Sequence, residues 1–177
     1  FVLRAPSWRD TLVRELAKAR RVRAGRLAWP MPGVCYQPTP AELAAFLAEP
    51  APFWSFDLET DGIEPLEARI RSFAIAAPDL DAEGYAIDVG IEAPARVARA
   101  VGVNLLSGDG RTRFYSAADE AETWRIVRAF LADPAHWISG ANVGSYDLAV
   151  LEEQVYGGRS YAERAANPPI AAVHDLL

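Results

Sequence analysis

The sequence predicts an α/β fold in which a mixed β-sheet is flanked by helices, with a basic helix at the N-terminus. Apolar and polar residues alternate with strand periodicity in 53–59, whereas 117–132 and 145–158 have the periodicity of amphipathic helices. Along the chain we expect a helix, three strands, a helix, a strand, a helix and one further strand. This succession of the two element types is typical of α/β proteins.

Residues 1–38 are predicted to form a basic helical arm followed by a linker. The segment 7–24 combines an apolar stripe with many arginines, and 25–40 is rich in proline and glycine. Residues 1–30 carry eight basic and two acidic residues, whereas the rest of the chain carries ten basic and 22 acidic residues. Two roles stay open for the arm: a solvated helix face packed against a neighbouring domain, or a contact with a nucleic-acid backbone.

The body of the protein is predicted to start with a helix. Thr39 is the expected cap, Pro40 takes the first helical position and Glu42 closes a capping box. Three strands forming a meander are expected next, over 53–59, 69–77 and 84–90. For the stretch that follows we expect a short helix over 94–101 and a hairpin around Gly108-Asp109-Gly110.

The C-terminal part is predicted to hold two more helices and two short strands. Ser116 is the expected cap of the helix over 117–132. A short buried strand over 136–142 leads into a helix that begins near Ser145 and ends at Gly157-Gly158. The last segment, 171–177, is expected to supply the final strand.

The composition excludes several classes of protein. The single cysteine, Cys35, excludes an internal disulfide framework, and two histidines make a structural zinc site improbable. No apolar run approaches the length of a membrane span, and no signal peptide is visible. We therefore expect a cytoplasmic protein, associated with the nucleoid if it is bacterial. Because the only methionine is Met31, we also expect a piece of a longer protein, with a processed chain as the alternative.

Two acidic residues, Asp57 and Glu59, lie within an otherwise largely apolar strand. Strand alternation places both carboxylates on the same side. Two carboxylates this close raise each other's pKa, and a divalent cation between them reverses that effect. Hard oxygen ligands suit Mg²⁺ or Mn²⁺. The alternative is that the pair only forms the solvated face of an antiparallel strand.

A second stretch, 137–155, combines a short apolar strand, a turn of small residues and an amphipathic helix. Asn142 lies in the turn, and Asp147 lies in the first turn of the helix. An Asp at this position can point back over the preceding turn. Each residue also has an ordinary structural role, because Asn is a common turn residue and Asp stabilises a helix N-terminus.

Together these stretches resemble two motifs of the DEDD 3′–5′ exonucleases, the DnaQ-like branch of the ribonuclease H-like fold. FDLETDGIEPLEARI, 56–70, resembles the first motif, and ISGANVGSYDLAVLEEQVYG, 138–157, resembles the second. The closing VHDLL resembles the strand-end Asp that follows the second motif in proofreading domains. The resemblance covers roughly 40–177 and is greatest to the proofreading domains of family-A DNA polymerases.

The resemblance implies a 3′–5′ exonuclease domain over 39–177, with a ribonuclease H-like sheet. Such a domain removes nucleotides from single-stranded DNA 3′ ends by a two-metal mechanism with Mg²⁺ or Mn²⁺. Asp57 would bridge two ions, Glu59 would bind one of them and Asp147 the other. Asn142 and Tyr146 would contact the substrate, and bases would stack on nearby aromatic residues, for which Trp54 and Trp137 are also available. A polymerase domain in the same parent chain is the implied partner.

Two departures from the family pattern limit what the resemblance implies. Four residues separate Asn142 from Asp147, whereas the family-A pattern has three, and the wider spacing is closer to family-B polymerases. The third motif, Tyr-x-x-x-Asp or His-x-x-x-x-Asp, does not follow the second. We therefore expect weak or no nuclease activity from residues 1–177. Two alternatives stay open: a noncatalytic nucleic-acid-binding or scaffold domain of the same fold, and an RNA-directed 3′–5′ exonuclease.

Overall fold

A computed structural model describes residues 33–78, 98–140, 143–171 and 173–175, together with Leu16, Ala19, Arg20 and Arg23. Leu16, Ala19, Arg20 and Arg23 are helical, in agreement with the predicted arm helix. The rest of that helix and the predicted strand over 84–90 lie outside the described residues. The division into an arm over 1–38 and a body over 39–177 stays a prediction.

One mixed sheet of six strands forms the centre of the described protein. The strands are β1 (Gly33–Tyr36), β2 (Trp54–Thr60), β3 (Ile70–Pro78), β4 (Ala98–Asn104), β5 (Ile138–Gly140) and β6 (Val173–Asp175). Their spatial order is β1-β4-β3-β2-β5-β6, and β3 is antiparallel to both of its neighbours while the other pairings are parallel. This arrangement confirms the predicted α/β mixed sheet and is consistent with a ribonuclease H-like fold.

Three of the four α-helices in the described residues begin after a residue whose side chain caps the helix. These four helices are α1 (Pro40–Ala48), α2 (Ala117–Leu131), α3 (Leu148–Gln154) and α4 (Tyr161–Ala166), and a π-helical turn, Val143–Asp147, leads into α3. The capping box of Thr39 and Glu42 is present, and the Ser116 hydroxyl accepts a hydrogen bond from the Asp119 N–H at 3.1 Å. Beyond α3, Gly157 and Gly158 have φ of +75° and +65°, which favour glycine.

The core lies against one face of the sheet. Trp54, Phe56 and Leu58 of β2 are buried on this face, and buried side chains of α1, α2 and α3 pack into the same cluster. The Trp54 ring meets the Phe130 ring edge-to-face, with centroids 5.0 Å apart. On β2 the opposite face is exposed, so this strand has one packed face and one open face.

Two segments differ from the sequence prediction. Residues 33–36, predicted as linker, form β1, which pairs in parallel with β4. Residues 98–101, predicted as the end of a helix, belong to β4, where buried Arg99, Val101 and Val103 alternate with small residues. Alanine favours helices locally, but strand pairing on both sides of β4 overrides that preference.

The predicted hairpin around Gly108-Asp109-Gly110 is reduced to a single antiparallel bridge. Leu106 pairs with Arg113, and the Asp109 carboxylate accepts a hydrogen bond from the Arg111 N–H at 2.9 Å. Because this carboxylate also accepts hydrogen bonds from the neighbouring Ser107 and Thr112, its pKa lies well below the ordinary value. The turn is therefore held by Asp109 together with backbone hydrogen bonds, such as the one from the Ser107 N–H to the Thr112 carbonyl oxygen at 2.9 Å.

Candidate active site

The first candidate motif lies on the open face of β2. Trp54, Phe56 and Leu58 are buried, whereas Asp57 and Glu59 are exposed, which confirms the alternation predicted from the sequence. In the antiparallel register with β3, Asp57 lies opposite Ala74 and Glu59 opposite Ser72. These small neighbours leave both carboxylates accessible from above the sheet.

The pKa of the Asp57 carboxyl is raised above its ordinary value, first by partial desolvation and second by the charge of Glu59. The two carboxylates are therefore close enough to repel each other. A divalent cation would relieve this repulsion, and both groups offer hard oxygen atoms. The donor chemistry of the pair fits Mg²⁺ or Mn²⁺.

The second candidate motif begins where β5 lies directly beside β2. The two strands run parallel, with Ile138 opposite Trp54 and Ser139 opposite Ser55. A Cβ at Gly140 would lie only 2.5 Å from the backbone oxygen of Phe56, so a side chain at this position would clash with β2. Gly140 therefore allows the start of the second motif to approach the residue that precedes Asp57.

Tyr146 connects the second motif to the end of the first. Its hydroxyl donates to the Gly62 carbonyl oxygen at 2.6 Å and lies 2.7 Å from the Thr60 hydroxyl. Thr60 is the last residue of β2, one position beyond Glu59. The two motifs thus meet at one end of the sheet. Tyr146 was predicted to contact substrate, and its hydroxyl here holds the loop that follows β2.

Asp147 differs from its expected position. The resemblance implies that Asp147 holds a cation together with Asp57 and Glu59, but the residue is 4% exposed and belongs to the π-helical turn. It occupies the N-cap position of α3, and its side chain makes no cap hydrogen bond there, so capping does not explain why an Asp is present. Among the described residues, which include all three predicted ligands, no group of three His, Cys, Asp or Glu side chains could hold a metal ion.

Asp147 lies in a π-helical turn rather than in a regular α-helix. A π turn pairs residues i and i+5 and accommodates one more residue than an α turn. The sequence between Asn142 and Asp147 is longer by one residue than the family-A spacing, and the π turn lies within this stretch. Asp147 is the last residue of this turn and is buried there.

The remaining predicted contacts have mixed outcomes. Asn142 lies outside the described residues, so its predicted substrate contact stays a prediction. Trp54 is 1% exposed in the core and cannot stack on a substrate, whereas Trp137 is 63% exposed. Asp175, the strand-end Asp of the closing segment, lies opposite Gly140 in the parallel pairing of β6 with β5. The sequence analysis did not predict the hydrogen bond between Thr60 and Tyr146. The position of Thr60 directly after Glu59 could have indicated that it belongs to the site.

Comparisons with known proteins add a distant structural likeness. No protein-family model matches the chain, and no curated protein matches it. Among solved structures, the chain is similar to one described as "ExoI/SSB-Ct complex", with 18% sequence identity and a TM-score of 0.42. The match covers 72% of this chain and 29% of that chain. A likeness this distant carries no argument about function, which is therefore inferred from the site itself.

Among the helices of the described residues, none is long and apolar enough to cross a membrane.

Proposed function

We propose that this chain is a metal-dependent 3′–5′ exonuclease domain that removes nucleotides from the 3′ ends of single-stranded DNA. The observation that carries the proposal is the position of the carboxylate pair. Asp57 and Glu59 stand exposed on the open face of β2, and Tyr146 joins the second motif to the end of the same strand.

Asp57 and Glu59 are the residues that would hold Mg²⁺ or Mn²⁺. When bound, the cation would polarise the scissile phosphodiester and supply an activated water. The repulsion between the two carboxylates is consistent with this role, because it disfavours two adjacent charges in the absence of a cation. Asp147 is proposed as a further ligand from the motif resemblance alone, since its buried side chain does not complete the set in the described arrangement.

The chain's own residues would contribute mainly by positioning. Ala74 and Ser72, the small residues beside the carboxylate pair, leave space above β3 for the 3′ end of a DNA strand. The hydrogen bond from Tyr146 to the Gly62 carbonyl oxygen fixes the loop after β2. This loop borders the carboxylates. Correct placement of the phosphodiester supplies a large part of the rate in phosphoryl transfer, so a fixed loop matters even without direct chemistry.

The proposed natural setting is DNA replication and repair, with this domain acting as the proofreading unit of a DNA polymerase in the cytoplasm. This part of the proposal rests on the resemblance of 56–70 and 138–157 to proofreading motifs. The spacing between Asn142 and Asp147 leaves family-A and family-B polymerases as the two candidate settings.

A noncatalytic nucleic-acid-binding or scaffold domain is the second candidate function. It is favoured by one observation, that the described residues contain no cluster of three potential metal ligands. An RNA-directed exonuclease would use the same residues and differs only in its substrate.

The test is degradation of a 5′-labelled single strand with Mg²⁺ or Mn²⁺, comparing the chain with Asp57→Ala. We expect slow, metal-dependent shortening from the 3′ end that Asp57→Ala abolishes. Shortening that persists in Asp57→Ala would contradict the proposal, and no shortening with either metal would favour the scaffold function. A parallel reaction on an RNA strand of the same sequence separates the DNA-directed from the RNA-directed enzyme.

A further inference from the structure

A groove of about 380 Å³ opens beside Glu59 at the same end of the sheet. It crosses the ends of β2, β3 and β4 and reaches the loop that follows β4. Its polar lining includes Ser72, Asn104 and the side chain of Arg71, and Phe114 lies at its wall. The groove is thus continuous with the candidate active site through Glu59.

The floor of the groove follows from the strand register. Glu59 pairs with Ser72, and Ser72 pairs with Asn104 on β4. Side chains at paired positions of neighbouring strands point to the same face of the sheet. These three residues therefore form a polar row that runs sideways from the carboxylate pair across three strands.

Arg71 is directed toward this groove by an irregularity in the sheet. The register places Glu59 opposite Ser72 and Thr60 opposite Ile70, so Arg71 is an extra residue on β3. A bulge of this kind re-aims a side chain and is frequent beside active sites. One guanidinium nitrogen of Arg71 donates to the Ser107 carbonyl oxygen at 3.0 Å, which fixes the side chain over the groove.

Arg71 also differs from its neighbours in charge pairing. Arg69 forms an ion pair with Asp61 at 2.6 Å, and Arg113 forms one with Glu120 at 2.5 Å. Within the described ranges, by contrast, no carboxylate lies within ion-pair distance of Arg71, and its guanidinium donates to the neutral Ser107 carbonyl. Its charge and remaining N–H donors are therefore available, and a guanidinium matches the geometry of a phosphate.

Phe114 supplies a second recognition element on the same groove. Its side chain is 51% exposed, although a phenyl ring gains free energy from burial. An exposed aromatic beside an available cation is the combination with which proteins hold single-stranded nucleic acids, through base stacking and phosphate contact.

We propose that this groove holds the single strand upstream of the nucleotide at Asp57 and Glu59, with Arg71 on a backbone phosphate and a base stacked on Phe114. The inference rests on the proposed function for the position of the 3′ end. It goes beyond that function by assigning strand binding to two residues outside both motifs.

The test measures binding separately from cleavage. A fluorescein-labelled oligothymidylate is titrated with the chain in EDTA, and fluorescence anisotropy is recorded over a range of NaCl concentrations. Arg71→Gln and Phe114→Ala are compared with Arg71→Lys and Phe114→Trp, which keep the charge and the aromatic face. Arg125→Gln is the control, because it removes one positive charge from an exposed pair with Glu122 on α2.

We expect Phe114→Ala to weaken binding about fivefold or more and Phe114→Trp to preserve it. Arg71→Gln should weaken binding and reduce the slope of log affinity against log salt concentration by about 0.7, as for one lost phosphate contact. Arg71→Lys should retain most of that slope, and Arg125→Gln should leave it unchanged. Thermal melting of each variant verifies that the fold is intact.

The two proposals fail in different ways. If Arg71→Gln and Phe114→Ala bind like the unaltered chain, or if the unaltered chain does not bind at low salt, the groove is not the strand path, whatever cleavage shows. If both variants weaken binding but Asp57→Ala leaves strand shortening unchanged, the groove stands and the proposed catalytic site is wrong. Asp57→Ala itself should still bind the strand in EDTA.

Discussion

The two faces of β2 are built from adjacent residues yet serve different purposes. On the packed face, Trp54 and Phe56 are each 1% exposed and join the core of the sheet and helices. On the open face, Asp57 and Glu59 are exposed, and partial desolvation and the charge of Glu59 raise the pKa of Asp57. The packed face explains why the strand forms, but it gives no reason for the two acids. The open face is therefore where a function has to be sought.

The largest expected effect comes from the packed face. Phe56→Ala should lower the free energy of unfolding by about 3–5 kcal/mol, because it removes a buried ring that contacts Phe73. Asp57→Asn, one residue away, should leave metal-free stability within about 0.5 kcal/mol or raise it slightly. Urea denaturation of both variants without metal tests the contrast. A loss of several kcal/mol in Asp57→Asn would show that the open face is structural.

The close approach of β5 to β2 gives the next effect. Gly140→Ala should destabilise the fold by about 1–3 kcal/mol, because the new Cβ would meet the Phe56 backbone oxygen at 2.5 Å. Gly62→Ala is the matched control, since its Cβ would lie 3.5 Å from Ala68, an ordinary contact. Thermal melting compares the two. Equal melting temperatures would mean that β5 can move away from β2 without loss of stability. The close approach of these strands would then not hold the two motifs together.

A smaller effect is expected at the link between the motifs. Tyr146→Phe should lower the free energy of unfolding by about 0.5–1.5 kcal/mol, because it removes the hydroxyl that hydrogen-bonds to Gly62 and Thr60. Tyr36→Phe, which alters a 75% exposed residue, should be neutral. Chemical denaturation measures both. If Tyr146→Phe is as neutral as the control, the hydroxyl does not hold the loop after β2.

The smallest effect concerns pH. Because the folded-state pKa of Asp57 lies above the ordinary value of 3.8, this residue favours folding most at pH values below 3.8. That contribution is lost as the pH rises through the folded-state pKa. Glu59→Gln removes the weaker of the two causes, so the Asp57 pKa should fall but stay raised by desolvation. A ¹³C NMR titration of the Asp57 carboxyl tests this, with Glu64→Gln as control, and an unchanged pKa in Glu59→Gln would show that the acids do not interact.

Local patterns predicted much of the fold. The strands β2 and β3, the helices α1 and α2 and their caps were readable because periodicity and capping depend on neighbouring residues. β1 was not readable, because its four residues lie beside prolines and form a strand through pairing with β4. β4 was misjudged for a related reason, since its alanines favour a helix until both neighbouring strands are present. α4 was missed although Ser160 and Glu163 form a capping box.

The sequence likewise predicted one part of the candidate site and missed another. Alternation alone places Asp57 and Glu59 together on the exposed face. Asp147 is buried in a π-helical turn, which the sequence did not predict because such turns are rare. Arg71 was missed because its direction depends on a bulge in the pairing of β2 with β3.

The most direct test of the central claim is whether Mn²⁺ binds at the open face of β2. Paramagnetic broadening of amide NMR signals is followed as Mn²⁺ is added to the chain, to Asp57→Asn and to Asp133→Asn, which alters an acid in the turn after α2. We predict that signals of Glu59 and of the facing residues Ser72 and Ala74 broaden first, that Asp57→Asn abolishes this broadening, and that Asp133→Asn preserves it. Broadening that begins elsewhere, or that survives in Asp57→Asn, would contradict a metal-dependent site on this face.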